Sequence, residues 1–190
     1  MTKHFFPPLL AVFAVLALAV VPGCGGPSKD AGEGSAATDD LAIFARLGDL
    51  ARRRVHQSEP GATLQQVDIA PGEGRYEFRF VDPTSSRVLI ASGGGDAKTP
   101  EAFTVTTAAL ASLAAPPSSS PVDLAVLRLG PDGVVATVVR ELGAATPRTL
   151  TLIQRDGALA WRVEVNGPRG IVRGTVQDET GQFVREDATP

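Results

Sequence analysis

The chain has 190 residues, with 18 Lys and Arg against 21 Asp and Glu, a net charge of −3, two His and one Cys. That balance supplies no basic face for nucleic acid. With the histidines at His4 and His56 and the thiol at Cys24, a disulfide framework, a Ser-His-Asp triad and a His-rich metal site all lack material.

From Leu9 to Val21 thirteen consecutive residues are apolar, behind Lys3 and His4. This is the length of a signal-peptide core and falls short of the roughly 20 residues of a spanning helix. The run closes on Val21-Pro22-Gly23-Cys24, which resembles the lipobox of bacterial lipoproteins, with Pro22 departing from the residue usual there. The resemblance implies a leader at 1–23, cleavage between Gly23 and Cys24, and a diacylglyceryl group on the Cys24 sulfur. Two or three acyl chains, at about 0.8 kcal/mol per buried CH₂, hold a protein on a membrane durably. Gly25, where that family uses Asp for inner-membrane retention, implies the periplasmic face of the outer membrane. The alternative is an ordinary cleaved signal with an incidental cysteine, which would leave a lone thiol in an oxidising compartment.

Residues 24–39, the lipidated cysteine followed by GGPSKDAGEGSAATD, contain no large apolar side chain and read as a flexible tether. Asp39 and Asp40 then offer an N-cap and first-turn charge for a helix. Its apolar stripe is Ile43, Phe44, Leu47, Leu50, Ala51 and Val55, and Pro60-Gly61 stops it. Arg52, Arg53 and Arg54 fall in the last turn, where cations complement the carbonyl end. They read as a solvated helix end, with a docking patch for an anionic partner or headgroup as the functional alternative.

Three strands are expected next. Ala62–Ala70 sets Val67 and Ile69 on one face, and Leu64 is out of phase, which suggests a bulge. Arg75–Val81 alternates Tyr76, Phe78 and Phe80 against Arg75, Glu77 and Arg79, and Arg87–Ser92 repeats the pattern. The first unit, 40–95, is thus a helix on an antiparallel meander. Residues 96–120, rich in Ala, Pro and Ser, read as a connector that begins in the flexible Gly93-Gly94-Gly95 exit. Within it, Phe103 and Val105 are compatible with an edge strand and Thr107–Ala115 with one or two helical turns.

A second unit, 121–187, repeats the order. Pro131-Asp132 opens a helix through Val134, Val135, Val138, Val139 and Leu142 that Gly143 closes, with a strand as the competitor for so much valine. Thr149–Gln154, the Asp156-Gly157 hairpin, Ala158–Val165, Ile171–Gln177 and an edge at Phe183 follow.

The order helix, strand, strand, strand and the closing run VRGTVQDETGQFV resemble the PepSY domain family. Asp178, Thr180 and Gly181 match its closing motif, and Trp161 stands where its second strand often carries an aromatic. Asp49–Ile69 and Pro121–Gly143 look like helix-bearing segments of two such units. The resemblance implies an α+β module of the secreted or envelope-bound kind. Some members are propeptides of metallopeptidases, thought to restrain peptidases. The matched positions carry fold and not a site.

The carboxylates Asp68, Glu73, Glu77 and Asp82 lie along one hairpin; paired acids can do glycosidase work, yet solvated strand faces and turns account for them. His56 reads as a surface residue, and Trp161 and Tyr76 as core anchors. The expectation is therefore an α+β chain of two packed helix-plus-meander units, non-enzymatic and without cofactor or metal, anchored to the envelope membrane. It would bind an envelope protein, or alternatively inhibit or chaperone a secreted peptidase.

Overall fold

Amphipathic periodicity and turn chemistry account for most element boundaries in the computed structural model, which describes residues 33–112 and 120–186. Two helices, α1 (Glu33–His56) and α2 (Pro131–Leu142), accompany eight strands. These are β1 (Thr63–Ala70), β2 (Arg75–Asp82), β3 (Arg87–Gly94) and β4 (Thr104–Ala109), then β5 (Thr146–Arg155), β6 (Ala158–Gly167), β7 (Gly170–Gln177) and β8 (Phe183–Arg185). The protein is α+β. All strands form one antiparallel sheet in the order β4-β3-β2-β1-β5-β6-β7-β8.

Each helix is followed by a four-strand meander, and the two meanders join where Gln66–Ile69 of β1 pair with Leu150–Ile153 of β5. The β1–β2 register shifts between Leu64 and Gln66, as the phase of Leu64 suggests. At the β5–β6 turn Asp156 and Gly157 both hold positive φ, 53° and 84°, the backbone that a two-residue hairpin requires.

Both helices pack on one face. Phe44, Leu47, Ala51 and Val55 from α1 and Val134 and Val138 from α2 share a single core with Val67, Phe78, Leu152 and Trp161 of the sheet. Phe44 is its keystone: its ring lies 6.1 Å from Phe78, 6.2 Å from Tyr76 and 5.6 Å from Trp161, so it touches strands of both meanders.

The structure departs from the expected element bounds and burial at several places. The helix begins at Glu33 and takes in the end of the expected tether, because Ala36, Ala37 and the flanking acids favour helix once the downstream stripe is docked. Ile43 and Val139 lie at the exposed margins of their stripes, at 47% and 39%, since a helix on a flat sheet buries a narrower arc than the apolar pattern spans. The edge strand expected in the connector is β4, which pairs with β3 from Arg87 to Ser92, but Thr107–Ala109 are strand, not helix. Gly93 and Gly94 belong to β3 instead of a loose exit, and a side chain at Gly93 would collide with the buried Phe103 ring.

Asp40 does not cap α1. It sits inside that helix and its Oδ2 accepts the Asp132 N–H at 2.9 Å, so it caps α2 from 92 residues away in sequence. Gly130, the residue before α2, leaves the room this needs, because a Cβ there would strike the Asp40 carboxylate. Burial pushes the Asp40 carboxyl above its ordinary value, the N–H groups of Asp132 and Gly133 oppose this, and the Asp132 carboxylate adds to the rise.

A second polar tie holds the approach to α2. The Asp178 carboxylate, 7% exposed, accepts the N–H of Arg128 at 3.0 and 3.1 Å and that of Leu129 at 2.8 Å. Trp161 Nε1 donates to the Leu129 carbonyl at 3.0 Å. Gly181, at φ 64°, and Thr180 close the turn that places Asp178 there.

Candidate functional site

Because both helices occupy one face, the residues that alternate with the core point to the other, and that face carries the sheet's charged side chains. Asp68 and Glu77 are direct cross-strand partners, a pairing of like charges that is unfavourable by itself. Arg79 resolves it, its Nε 2.7 Å from Asp68 and its Nη2 3.6 Å from Glu77. The Nε–H is buried and not aligned on the carboxylate, so the contact is an ion pair without a hydrogen bond. Gln66 Nε2 donates to both Asp68 oxygens at 2.8 and 2.9 Å, and Thr151 Oγ1 donates at 2.8 Å across the β1–β5 junction. With its oxygens thus engaged, Asp68 ties the two meanders together at their junction.

Beyond that junction a polar cavity of about 420 Å³ lies over β5, β6 and β7, lined by Thr149, Thr151, Arg162, Glu164, Arg173 and Glu186. Glu164 takes Arg148 and Arg173 at 2.9 Å each, while Arg162, exposed between Thr151 and Thr175 in register, has no ion-pair partner among the described residues.

On the helix side a larger cavity of about 560 Å³ opens between the C-terminal half of α1, the start of β1 and residues 121–125, lined by Gly48, His56, Leu64, Phe80, Val122 and Leu124. Gly48 permits this packing, since a Cβ there would overlap the Leu124 side chain. Val122 N–H donates to the Leu64 carbonyl at 2.8 Å and pins the segment beside β1. His56 is half-buried here and not a free surface residue: its Nε2 stands 2.9 Å from the Ala62 carbonyl, and its ring meets the edge of Phe80 at 6.5 Å. A carbonyl only accepts, so Nε2 bears the proton and Nδ1 is left as the second ring position.

The three consecutive arginines Arg52, Arg53 and Arg54 do not act together. Arg52 pairs with Asp49 at 2.6 Å and borders the larger cavity. Arg53 reaches back to the Asp49 carbonyl at 3.4 Å, while Arg54 donates to the Phe103 carbonyl at 3.3 Å and to Gln57 at 2.7 Å. Gly23 and Cys24 lie outside the described residues. No helix among the described residues is long and apolar enough to cross a membrane.

The four hairpin carboxylates do not converge. Asp68 and Glu77 meet at Arg79, Glu73 sits 3.8 Å from Arg75, and Asp82 closes the β2–β3 turn. There it accepts the Ser85 hydroxyl, the Thr84 N–H at 3.0 Å and the Thr84 hydroxyl at 2.8 Å. Those donors, the Ser85 hydroxyl first, lower the Asp82 carboxyl from 3.8 to about 2. A carboxylate held below its unfolded value stabilises the fold above that value, and the contribution fades as pH falls from about 4 through about 2. Asp82→Asn should therefore show a smaller drop in Tm between pH 5 and pH 2 than the unaltered chain, read by circular dichroism melts. An equal drop would remove Asp82 from the acid response.

Neither the Arg162 cavity nor the Asp178 tie is visible in the sequence pattern, where each residue sits in an ordinary alternating strand or turn. The signal available was negative: Arg162 faces outward between two threonines and has no acid at a cross-strand position once the register is known.

No family model matches the chain, and no curated protein matches it. A solved structure from Clostridium difficile 630, described as that of a candidate lipoprotein, superposes on it with a TM-score of 0.51 at 12% identity, over 78% of this chain and 91% of that one. The two proteins share their fold.

Proposed function

We propose that this chain is a lipid-anchored lipoprotein of the cell envelope, on the periplasmic face of the outer membrane, that works without catalysis by binding an envelope protein. The observation that carries the binding reading is the helix-free face: an eight-stranded sheet whose two helices pack on one side leaves charged, ordered side chains as a ready interface. The lipoprotein reading rests on Leu9–Cys24 and agrees with the description of the fold neighbour. The element order α1-β1-β2-β3-β4 followed by α2-β5-β6-β7-β8 supports reading the chain as two PepSY-like units merged into one sheet, the first extending beyond 40–95 at both ends to take in all of α1 and β4.

Mass spectrometry of the purified full-length protein tests the anchor. The expected species starts at Cys24 and carries a diacylglyceryl adduct, whereas Cys24→Ser neither loses residues 1–23 at that point nor gains the adduct. A Cys24→Ser protein processed at the same bond and held on the membrane like its parent would sink the anchor. For binding, photo-crosslinkers on β5–β7 should trap a defined envelope protein in membranes, and crosslinkers on exposed α2 positions should not.

A further inference from the structure

The sheet ends in two unlike edges. One, β8, is blunted: it has three residues, includes Arg185 and is followed by Glu186. The other, β4, has six residues, TVTTAA, and pairs with β3 from Thr104 to Ala109 in one unbroken register. Charge, proline and bulges keep an edge strand from pairing with another chain, and β4 has none of them. The Leu110 N–H donates to the Ser86 carbonyl at 3.0 Å, so by antiparallel alternation it is Thr104, Thr106 and Ala108 that bond to β3. The N–H and C=O groups of Val105 and Thr107 therefore point outward from the edge, and among the described residues they meet no partner. On either side of them Ala109 and the Phe103 carbonyl are engaged, the latter by Arg54 at 3.3 Å.

We propose that β4 pairs with β4 of a second copy of this chain, antiparallel about a two-fold axis at Thr106. Only that register joins the outward groups of Val105 in one copy to those of Thr107 in the other, so that both residues exchange N–H···O bonds. An axis at Val105 would set Thr107 against the occupied Phe103, and an axis at Thr107 would set Val105 against the occupied Ala109. The side chains agree with it. On the helix-free face Thr106 meets its counterpart and Thr104 meets Ala108, while on the helix side the half-buried Val105, packed against the core, meets Thr107. No like charges are opposed, although each copy carries a net charge of −3. An uncharged, unbulged strand has nothing by which to select a foreign one, whereas its own copy returns the matching pattern of outward groups. The axis stands perpendicular to the sheet, so the helices of both copies share one side and the two helix-free faces join. The pairing does not depend on the envelope-protein partner proposed for that face.

The test uses the full-length protein in density-matched detergent. Its sedimenting mass should rise from one copy toward two as concentration increases from about 5 to about 500 μM, the range suited to an interface below standard size. Thr107→Lys puts a charge on the edge, and Thr107→Pro removes an outward donor that β3 does not use. Both should stay monomeric over that range, Thr107→Lys without a loss of Tm. Thr106→Cys should form an intermolecular disulfide on mild oxidation, because the axis brings the two Cα atoms to about 4.5 Å, within disulfide reach. Thr104→Cys alone should cross-link at least about tenfold more slowly, its own counterpart lying beyond that reach, yet mixed with Ala108→Cys it should form the heterodimer. The unaltered chain, whose one thiol is Cys24, is the control. A chain monomeric throughout, dimers undiminished in both Thr107 variants, or equal cross-linking by Thr104→Cys and Thr106→Cys overturns the proposal. Cross-linking of β4 to a different protein and not to its own copy overturns it as well.

Discussion

Phe44→Ala should destabilise the protein by about 3–5 kcal/mol, the range for removing a buried aromatic from a core that does not collapse around the gap. The side chain is 1% exposed, and its partners divide between the halves of the sheet: Tyr76 and Phe78 on β2, Trp161 on β6. Its loss therefore removes transfer free energy and also loosens the packing of α1 across both meanders. Urea denaturation followed by Trp161 fluorescence and by far-ultraviolet circular dichroism measures both effects. Trp161, the only tryptophan, reports the second meander. In the parent chain the two probes should trace one transition, and in Phe44→Ala the transition should move to lower urea. Ile43→Ala, one residue away but 47% exposed, should change stability by no more than about 0.5 kcal/mol. Equal losses from the two substitutions would refute the keystone role of Phe44.

Asp178→Ala should cost about 2–3 kcal/mol, because it strips the acceptor from the Arg128 and Leu129 N–H groups, and a buried donor left unmade costs about 1–3 kcal/mol. Water reaching the exposed Arg128 side of the loop keeps the total below the sum for two fully buried donors. The consequence extends to Trp161, whose Nε1–H depends on the Leu129 carbonyl staying in place. The variant should consequently show red-shifted tryptophan emission while folded, which a general loss of stability would not produce. Asp178→Asn keeps an oxygen that can accept both N–H groups and should lose about half as much. A folded Asp178→Ala protein with unshifted emission would show that the segment before α2 is held by something else.

Much of the architecture was legible because it is written in short-range periodicity. Tyr76, Phe78 and Phe80 alternate, and all three contribute to the core. The valines of α2 are spaced at three and four, and Val134 and Val138 are buried; Pro131 and Gly143 mark its ends against the β preference of valine. What misled was composition. An Ala, Ser and Gly stretch looks like tether or connector whether or not a neighbour docks it, and so the start of α1 at Glu33 was hidden, and the edge strand expected around Phe103 and Val105 runs on through Ala109. The arginine triplet lies at the solvated end of α1, and since three consecutive helical residues point about 100° apart, its members find separate partners.

By itself the sequence determined the apolar run before Cys24, the α+β class and the faces of the best-patterned strands. Each of these depends on residues within a few positions of one another. Only the tertiary structure decided that Asp40 caps the other helix, that Asp178 and Trp161 clamp one loop from two sides, and that Thr151 ties Asp68 across the junction of the two meanders. Hydrogen bonds and ion pairs reach only a few ångströms, so which groups satisfy one another across 92, 49 or 32 residues of chain is set by strand order and register. In this protein that order comes from the pairing of β1 with β5, which merges the two meanders and leaves one face of the sheet to the helices and the other to its charges.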